Sequence, residues 1–237
     1  PFRKPALTPF NFREPRTLCS GDPFPNPGER VICGSPFLTT KDDPDRLRKK
    51  MDWKAKYGPW ALVTGASAGL GTDFVRQLAA KGLNIVLVAR RQDRMETLAR
   101  EVQNAHGIQT RIVAADLTVG DACQQAIDQT SDLEIGLLVN NAGFGMSGEY
   151  HTLDADQQVK MTVLNCVVPV LLTNHYLPPM LERGRGGIIF LASIAAYQPT
   201  PTFSTYGATK AFNLMLGESL WREYRKQGVD CLALSPG

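Results

Sequence analysis

Long apolar runs are absent from this sequence of 237 residues. The closest approach, residues 159–173, is interrupted by Lys160, Asn165 and Pro169, whereas a membrane-spanning helix needs about eighteen or more predominantly apolar residues. Residues 1–20 carry charges and four prolines in place of the apolar core of a signal peptide. We therefore expect no membrane span and a cytoplasmic location.

Cysteine patterns typical of a metal site or a redox motif are also missing. The five cysteines are Cys19, Cys33, Cys123, Cys166 and Cys231, and their spacing matches neither kind of site. An odd number cannot pair completely within one chain, so reduced thiols in a cytosolic protein are the simpler interpretation. We expect no bound metal.

The sequence has no strong excess of one charge where a folded domain is expected. Its net charge is +3, but residues 1–50 hold 10 Lys/Arg against 6 Asp/Glu, while residues 51–237 hold 16 against 17. The basic character thus belongs to the first segment. Nothing in residues 51–237 indicates nucleic-acid binding, which needs clustered basic residues.

Composition changes near Met51. Residues 1–50 contain 9 of the 16 prolines and lack hydrophobic periodicity, so this segment cannot bury enough apolar surface to offset its ordering entropy. We interpret it as an irregular or disordered extension upstream of a natural start at Met51; a genuine tail is the alternative. Residues 51–237 then form one domain of ordinary size.

Six short apolar runs rich in β-branched residues alternate with helical patterns, and such runs are typical of buried parallel strands. They cover residues 60–64, 85–89, 111–115, 136–140, 187–192 and 229–234. One helix is predicted to begin near Asp93, where Glu96 suggests a capping box, and to end at Gly107. A long helix is predicted over residues 154–182. The alternation predicts an α/β fold with a Rossmann-like, doubly wound parallel sheet.

The first predicted strand leads into a glycine-rich turn, T-G-A-S-A-G-L-G at residues 64–71, and then a helix. Glycines allow the backbone to approach a phosphate closely, and the amides and dipole of the following helix attract the anion. The same turn can also be purely structural. Its position after the first strand favours a dinucleotide site.

The spacing T-G-x-x-x-G-x-G resembles the short-chain dehydrogenase/reductase family, and the resemblance extends from about Tyr57 to Gly237. Other motifs agree with it: N-N-A-G at residues 140–143, Y-x-x-x-K at 206–210 and S-P-G at 235–237. The resemblance implies an NADP(H)-dependent oxidoreductase acting on a carbonyl or alcohol. Segments 57–60 and 82–91 resemble the subgroup that reduces 3-ketoacyl-CoA esters and 17-ketosteroids.

The residue that selects the dinucleotide is predicted at the end of the second strand. NAD-binding enzymes usually place a carboxylate there, whereas here Arg90 follows Ala89. A guanidinium binds a 2′-phosphate bidentately, so Arg90 predicts NADP(H), unless Arg90 and Arg91 are only solvated charges. The predicted cofactor-binding residues, several of them implied by the resemblance, are Gly65, Ser67, Gly69, Leu70, Gly71, Arg90, Asp116, Leu117, Asn141, Ala142, Gly143, Tyr206, Lys210, Pro236 and Gly237.

Tyr206 and Lys210 are four residues apart, which puts both side chains on one face of a helix. A nearby ammonium favours the phenolate and lowers a tyrosine's pKa, as acid–base catalysis near neutrality requires; a surface pair is the alternative. The resemblance implies that Tyr206 exchanges the proton and that Lys210 holds the nicotinamide ribose. It also implies that Ser193 binds the substrate carbonyl and that Asn165 holds a water in a proton relay. By themselves, Ser193 could be a turn residue and Asn165 could cap a kink before Pro169.

Two other functions stay open, a catalytically silent NADP-binding regulator and a non-redox dehydratase or epimerase. The intact Ser193, Tyr206 and Lys210 set argues against the first, and the glycine spacing argues against the second. Apolar side chains in residues 144–150 and 194–203 predict a mainly apolar substrate. Relatives continue past the P-G motif, so we expect the chain to lack a last strand and a lid, and the complete chain to form a homo-oligomer.

Deletion of residues 1–50 should leave the melting temperature and the NADPH affinity of the remaining domain unchanged. The segment has no periodic apolar face through which it could contribute to a core. Differential scanning calorimetry and a binding titration on both forms check this. A melting temperature lowered by several degrees would show that the segment packs on the domain.

Overall fold

The computed structural model describes residues 52–237, so the extension predicted over residues 1–50 lies outside the described part. The strands are β1 (Trp60–Thr64), β2 (Asn84–Ala89), β3 (Thr110–Ala114), β4 (Ile135–Asn140), β5 (Gly186–Leu191) and β6 (Val229–Leu234). The α-helices are α1 (Trp53–Tyr57), α2 (Leu70–Ala80), α3 (Gln92–His106), α4 (Ala122–Asp128), α5 (Ala155–Thr162), α6 (Val168–Glu182) and α7 (Ser204–Tyr224). Each predicted strand is present, with bounds within one residue of those expected.

The six strands form one parallel sheet in the order β3-β2-β1-β4-β5-β6. This is the doubly wound, Rossmann-like arrangement that the alternation of strands and helices predicted. The direction of winding reverses between β1 and β4, and the loops after their carboxyl ends therefore diverge. In such sheets ligands bind in the crevice at this switch point.

Alternate strand residues pack on opposite faces of the sheet. Leu62 of β1 faces the apolar layer formed by α4, α6 and α7, while the next residue, Val63, faces the layer formed by α2 and α3. Both side chains are fully buried, and each such burial contributes about 1.5–3 kcal/mol of hydrophobic stabilisation. Covered on both faces, the strands need the unbroken apolar runs seen in the sequence.

Of the two caps predicted for helix α3, the C-cap is confirmed and the N-cap is wrong. Helix α3 ends at Gly107, whose φ of +65° is the left-handed C-cap conformation expected. The capping box predicted from Asp93 and Glu96 is wrong: the N-cap is Arg91, which makes no side-chain cap, and Asp93 lies inside the first turn.

None of the helices in residues 52–237 combines the length and hydropathy that a membrane span requires.

The long helix predicted over residues 154–182 is interrupted. A π-helical turn, Val163–Val167, separates α5 from α6. Pro169 lies just beyond it, in the first turn of α6, and has no N–H to donate to the carbonyl four residues earlier. The interruption therefore falls where proline breaks the ladder of hydrogen bonds, and it places Asn165 inside the π turn.

Candidate active site

The glycine-rich turn between β1 and α2 borders a cleft at the carboxyl ends of the strands. Gly65 has a φ of +68°, and a Cβ there would lie 2.8 Å from Asn141 Nδ2. A Cβ on Gly71 would lie 2.2 Å from the Gly65 carbonyl oxygen. Gly69, the N-cap of α2, offers no side-chain cap, which leaves the first amides of the helix available to an anion.

A set of hydrogen bonds joins the ends of β1 and β4. Buried Thr64 donates through Oγ1 to the Val139 carbonyl (3.2 Å) and accepts from the amides of Asn141 (3.0 Å) and Ala142 (2.9 Å). Asn141 Nδ2 in turn donates to the Thr64 carbonyl at 2.8 Å. Asn141 of the N-N-A-G motif thus ties the end of β4 to the end of β1.

Two arginines, not one, stand where the sequence predicted selection of the dinucleotide. Arg91 donates through Nε and Nη2 to Ser67 Oγ at 3.3 and 3.2 Å. Arg90 is 75% exposed, and its Nη1 lies 3.7 Å from Asp116 Oδ2. Two guanidinium groups and a hydroxyl therefore lie around the glycine-rich turn, a donor set that suits a phosphate.

Asp116 forms a local turn after β3. Its Oδ1 accepts from the amide (3.0 Å) and the hydroxyl (2.7 Å) of Thr118. Partial burial opposes ionisation, but these hydrogen bonds and the charge of Arg90 hold the pKa of Asp116 below its ordinary value. The N-cap of α4 is Asp121, so Asp116 is a turn residue rather than a helix cap.

Tyr206 and Lys210 lie on α7, one helical turn apart as predicted. Lys210 is buried; its Nζ donates to the Leu191 carbonyl at 2.7 Å and lies 5.7 Å from the centroid of the Tyr206 ring. Burial lowers the pKa of Lys210 to about 8. The phenol and the ammonium therefore lie at the carboxyl end of β5.

Ser193 follows β5 and is buried. Its Oγ accepts a hydrogen bond from the amide of Ala195 at 3.2 Å, which caps the short 3₁₀ turn Ile194–Ala196. Ser193 is therefore a turn residue, as one of the two interpretations of the sequence expected. Because Oγ acts as the acceptor in this bond, the hydroxyl proton is left for another partner.

The Asn165 side chain is an internal clamp. Its Oδ1 accepts from the amide of Phe144 (3.2 Å), and its Nδ2 donates to the Phe144 carbonyl (3.0 Å) and to Thr209 Oγ1 (3.0 Å). Asn165 is 1% exposed. Both amide protons are used by protein acceptors, so this side chain links the loop after β4 to α7 rather than capping the kink in its own helix.

A cleft of about 660 Å³ brings most of the predicted residues together. Its walls include Gly65, Ser67, Leu70, Arg90, Asp116, Leu117, Asn141, Ala142, Gly143, Tyr206, Lys210 and Pro236. The remaining predicted residues are not part of these walls; they are Gly69, Gly71, Asn165, Ser193 and Gly237. Among residues 52–237 there is no group of three or more potential metal ligands.

The family model of the short chain dehydrogenases matches residues 59–237, nearly all of the described part. The chain belongs to this family. Curated relatives of the chain include chicken hydroxysteroid dehydrogenase-like protein 1, 34% identical over 81% of the chain. The macaque very-long-chain 3-oxoacyl-CoA reductase is 34% identical over 76% of the chain. The chain spans 59% of the length of each.

Solved structures agree with the sequence relatives. A bulky-bulky ketone specific alcohol dehydrogenase from Comamonas testosteroni superposes with a TM-score of 0.72 at 32% identity, covering 76% of this chain and 72% of that one. A short-chain dehydrogenase from Sphingobium yanoikuyae, solved with NADPH, has a TM-score of 0.72 at 33% identity, covering 76% and 71%. The chain therefore has the fold of its family.

Sequence reasoning missed several residues around the site, among them Arg91, Thr64, Thr209 and Asn213. Arg91 was visible beside Arg90, and Thr64 belongs to the glycine-rich motif, so both had a signal in the sequence. Thr209 and Asn213, which bond Asn165 from α7, had none. They are identified only once α7 is packed against the π turn.

Replacement of Lys210 by Met should change how the stability of the folded chain depends on pH. Since burial lowers the Lys210 pKa from 10.5 to about 8, above about pH 8 the folded chain releases a proton that the unfolded chain still holds. The folded state therefore gains stability relative to the variant as pH rises from about 8 to 10.5.

At 1.36 kcal/mol per pKa unit, the unfolding free energy of wild type minus that of Lys210→Met should rise by roughly 3 kcal/mol across this window. Urea denaturation of both proteins without ligand, at several pH values, measures the difference. A difference that stays constant with pH would show that Lys210 does not carry this linkage.

Proposed function

We propose that the chain is an oxidoreductase that uses NADP(H) to interconvert a carbonyl and an alcohol, with Tyr206 as general acid–base. One observation carries the proposal: the glycine-rich turn, Arg90, Tyr206 and Lys210 all line the same cleft. Structural neighbours support it, since several were solved with NADPH or NADP, including the L-sorbose reductase of Gluconobacter frateurii. The cleft also lies at the switch point of the sheet.

The residues of the cleft fit a dinucleotide phosphate. The turn leaves no space for a Cβ at Gly65 or Gly71. Because glycine has none, the backbone of the turn can pack closely, and a pyrophosphate can reach the first amides of α2. Ser67, Arg90 and Arg91 supply donors for a 2′-phosphate. Bound NADP(H) would supply or accept the hydride, and the protein supplies position and charge.

Tyr206 holds the proton that the reaction exchanges. In carbonyl reduction its hydroxyl donates to the substrate oxygen, and in alcohol oxidation it takes the proton back. Below about pH 8 Lys210 carries an ammonium, and its Nζ lies 5.7 Å from the centroid of the Tyr206 ring. Ser193, whose Oγ already accepts from Ala195, has its own proton free to hydrogen-bond the substrate oxygen.

The substrate class we propose is a mainly apolar ketone or its alcohol. Ile194, Tyr197 and Phe203 expose apolar surface in the loops after β5, and Phe144 lines the cleft. Relatives named for bulky ketones, hydroxysteroids and very-long-chain 3-oxoacyl-CoA esters agree with this choice.

We further propose a homo-oligomer in a reducing, cytoplasmic environment. The three cysteines in the described part, Cys123, Cys166 and Cys231, are free thiols. Helices α6 and α7 expose apolar side chains, among them Leu171 and Met215, which a second copy would cover. Sedimentation velocity on the purified chain and cell fractionation test these two points.

A catalytically silent NADP-binding protein is the second candidate. Its support is specific: human and orangutan relatives, 31% and 32% identical, are called inactive hydroxysteroid dehydrogenase-like protein 1. A screen of ketones monitored by NADPH absorbance separates the two functions. NADPH binding without turnover of any ketone would favour the silent protein.

NADPH should bind more tightly than NADH, and Arg90→Ala should remove much of this preference. A charge-assisted hydrogen bond is worth roughly 1.5–3 kcal/mol, or about tenfold to more than a hundredfold in affinity. Calorimetric titration of both dinucleotides measures the effect, with Arg100→Ala, an exposed arginine of α3, as the control. Equal affinities of the wild type for NADPH and NADH would contradict selection by Arg90.

Tyr206→Phe should fold, bind NADPH and lose turnover by about 100- to 10,000-fold, the usual contribution of general acid–base catalysis. Tyr224→Phe is the matched control, because Tyr224 lies at the far end of the same helix and should keep the wild-type rate. Steady-state kcat with an apolar ketone is the measurement. Retention of half the rate by Tyr206→Phe would exclude Tyr206 as the proton donor.

A further inference from the structure

The carbonyl of Asn165 is deprived of its usual helical partner. In an α-helix it would accept from the amide four residues on, but that residue is Pro169, which has no N–H. Asn165 is also 1% exposed, so water cannot readily replace the lost bond. A buried carbonyl that has lost this bond can be satisfied by a donor from elsewhere in the chain.

Asn213 supplies this donor. It lies on α7, three residues after Lys210, and its Nδ2 donates to the Asn165 carbonyl at 2.8 Å. Asn213 is 3% exposed, and its Oδ1 has no hydrogen-bond partner within residues 52–237. Burying an amide with an unpaired oxygen costs free energy of folding. The hydrogen bond to the Asn165 carbonyl offsets part of this cost and is the role that we assign to the Asn213 side chain.

The bond continues into the catalytic end of the cleft. Through its side chain Asn165 holds both the amide and the carbonyl of Phe144, and also Thr209 Oγ1. Phe144 lines the cleft, and Thr209 directly precedes Lys210. Space around Asn165 is tight: a Cβ on Gly143 would lie 2.8 Å from its Oδ1 and 3.7 Å from Lys210 Nζ.

We infer that Asn213 is a positioning residue: by satisfying the carbonyl that Pro169 leaves open, it fixes the π turn and, through Asn165, aligns Lys210 with the cleft floor at Phe144. The kinetic part of this inference rests on the proposed function, whereas the structural part does not. Asn213 itself need not contact substrate or cofactor.

Asn213→Leu, which keeps the branched shape and removes the donor, tests the inference. Without ligand, the segment 141–148, which contains the Phe144 amide, should exchange hydrogen roughly threefold to tenfold faster. With NADPH and a ketone, kcat should fall about tenfold to a hundredfold through misalignment, a larger change than in the KM for NADPH, because the glycine-rich turn and Arg90 are left in place. Asn213→Ala should move both quantities in the same direction if the leucine variant does not fold.

Tyr176→Phe is the matched control, because it removes another buried hydrogen bond, 2.7 Å to Thr130, from the neighbouring helix α6. It should lower the melting temperature and leave both exchange in segment 141–148 and kcat as in wild type. Equal effects of Tyr176→Phe and Asn213→Leu would overturn the inference, since general destabilisation would then explain both.

Pro169→Ala provides a rescue, because it restores a backbone amide one turn after Asn165. In that background Asn213→Leu should lower kcat and speed exchange far less than it does alone, which a double-mutant cycle detects. Full additivity would overturn the role assigned to Asn213. Absence of turnover in the wild type would instead contradict the proposed function, and exchange in segment 141–148 would still decide the role of Asn213.

Discussion

The hydrogen bonds between the ends of β1 and β4 are the constraint on which the cleft depends. In a parallel sheet covered by helices on both faces, the loops after two neighbouring strands diverge where the winding reverses, and the crevice between these loops can accept a ligand. Thr64 accepts hydrogen bonds from the amides of Asn141 and Ala142, and the Asn141 side chain donates to the Thr64 carbonyl. These bonds fix the two strand ends relative to each other. Glycine at positions 65 and 71 then lets the turn lie close against Asn141. The end of the cleft at the glycine-rich turn is therefore set by backbone and by short side chains, and the short side chains lose little entropy when they are ordered.

The end of the cleft that holds Tyr206 and Lys210 is built differently, from buried polar side chains on helices. The buried ammonium of Lys210 donates to the Leu191 carbonyl. Because burial disfavours the charged form, it lowers the pKa of Lys210. Asn165 and Asn213 are buried beside it and held by hydrogen bonds to neighbouring elements. Such networks are costly if one member is lost, because the partner stays buried and unpaired. The same property makes the network rigid enough to orient a reacting group.

The relatives of the chain include proteins named as reductases and proteins named as inactive. A shared fold therefore does not by itself decide whether a member turns over substrate. What decides is the chemistry at a few positions. Here the phenol of Tyr206 and the ammonium of Lys210 line one cleft with the glycine-rich turn, and this arrangement is why we favour an enzyme over a silent binding protein.

The sequence by itself determined the six strands and their order of appearance, the glycine-rich turn and the pairing of Tyr206 with Lys210. These features depend on hydrophobic periodicity and on spacing within one element, both of which are local. Only the tertiary structure decided three other contacts. Arg91 donates to Ser67, and Asn165 hydrogen-bonds the backbone of Phe144. Asn213 donates to the carbonyl of Asn165, which Pro169 cannot reach with an N–H. Those bonds join residues 21 to 48 positions apart, and their partners are set by how helices and loops pack, which no local pattern in a single sequence encodes.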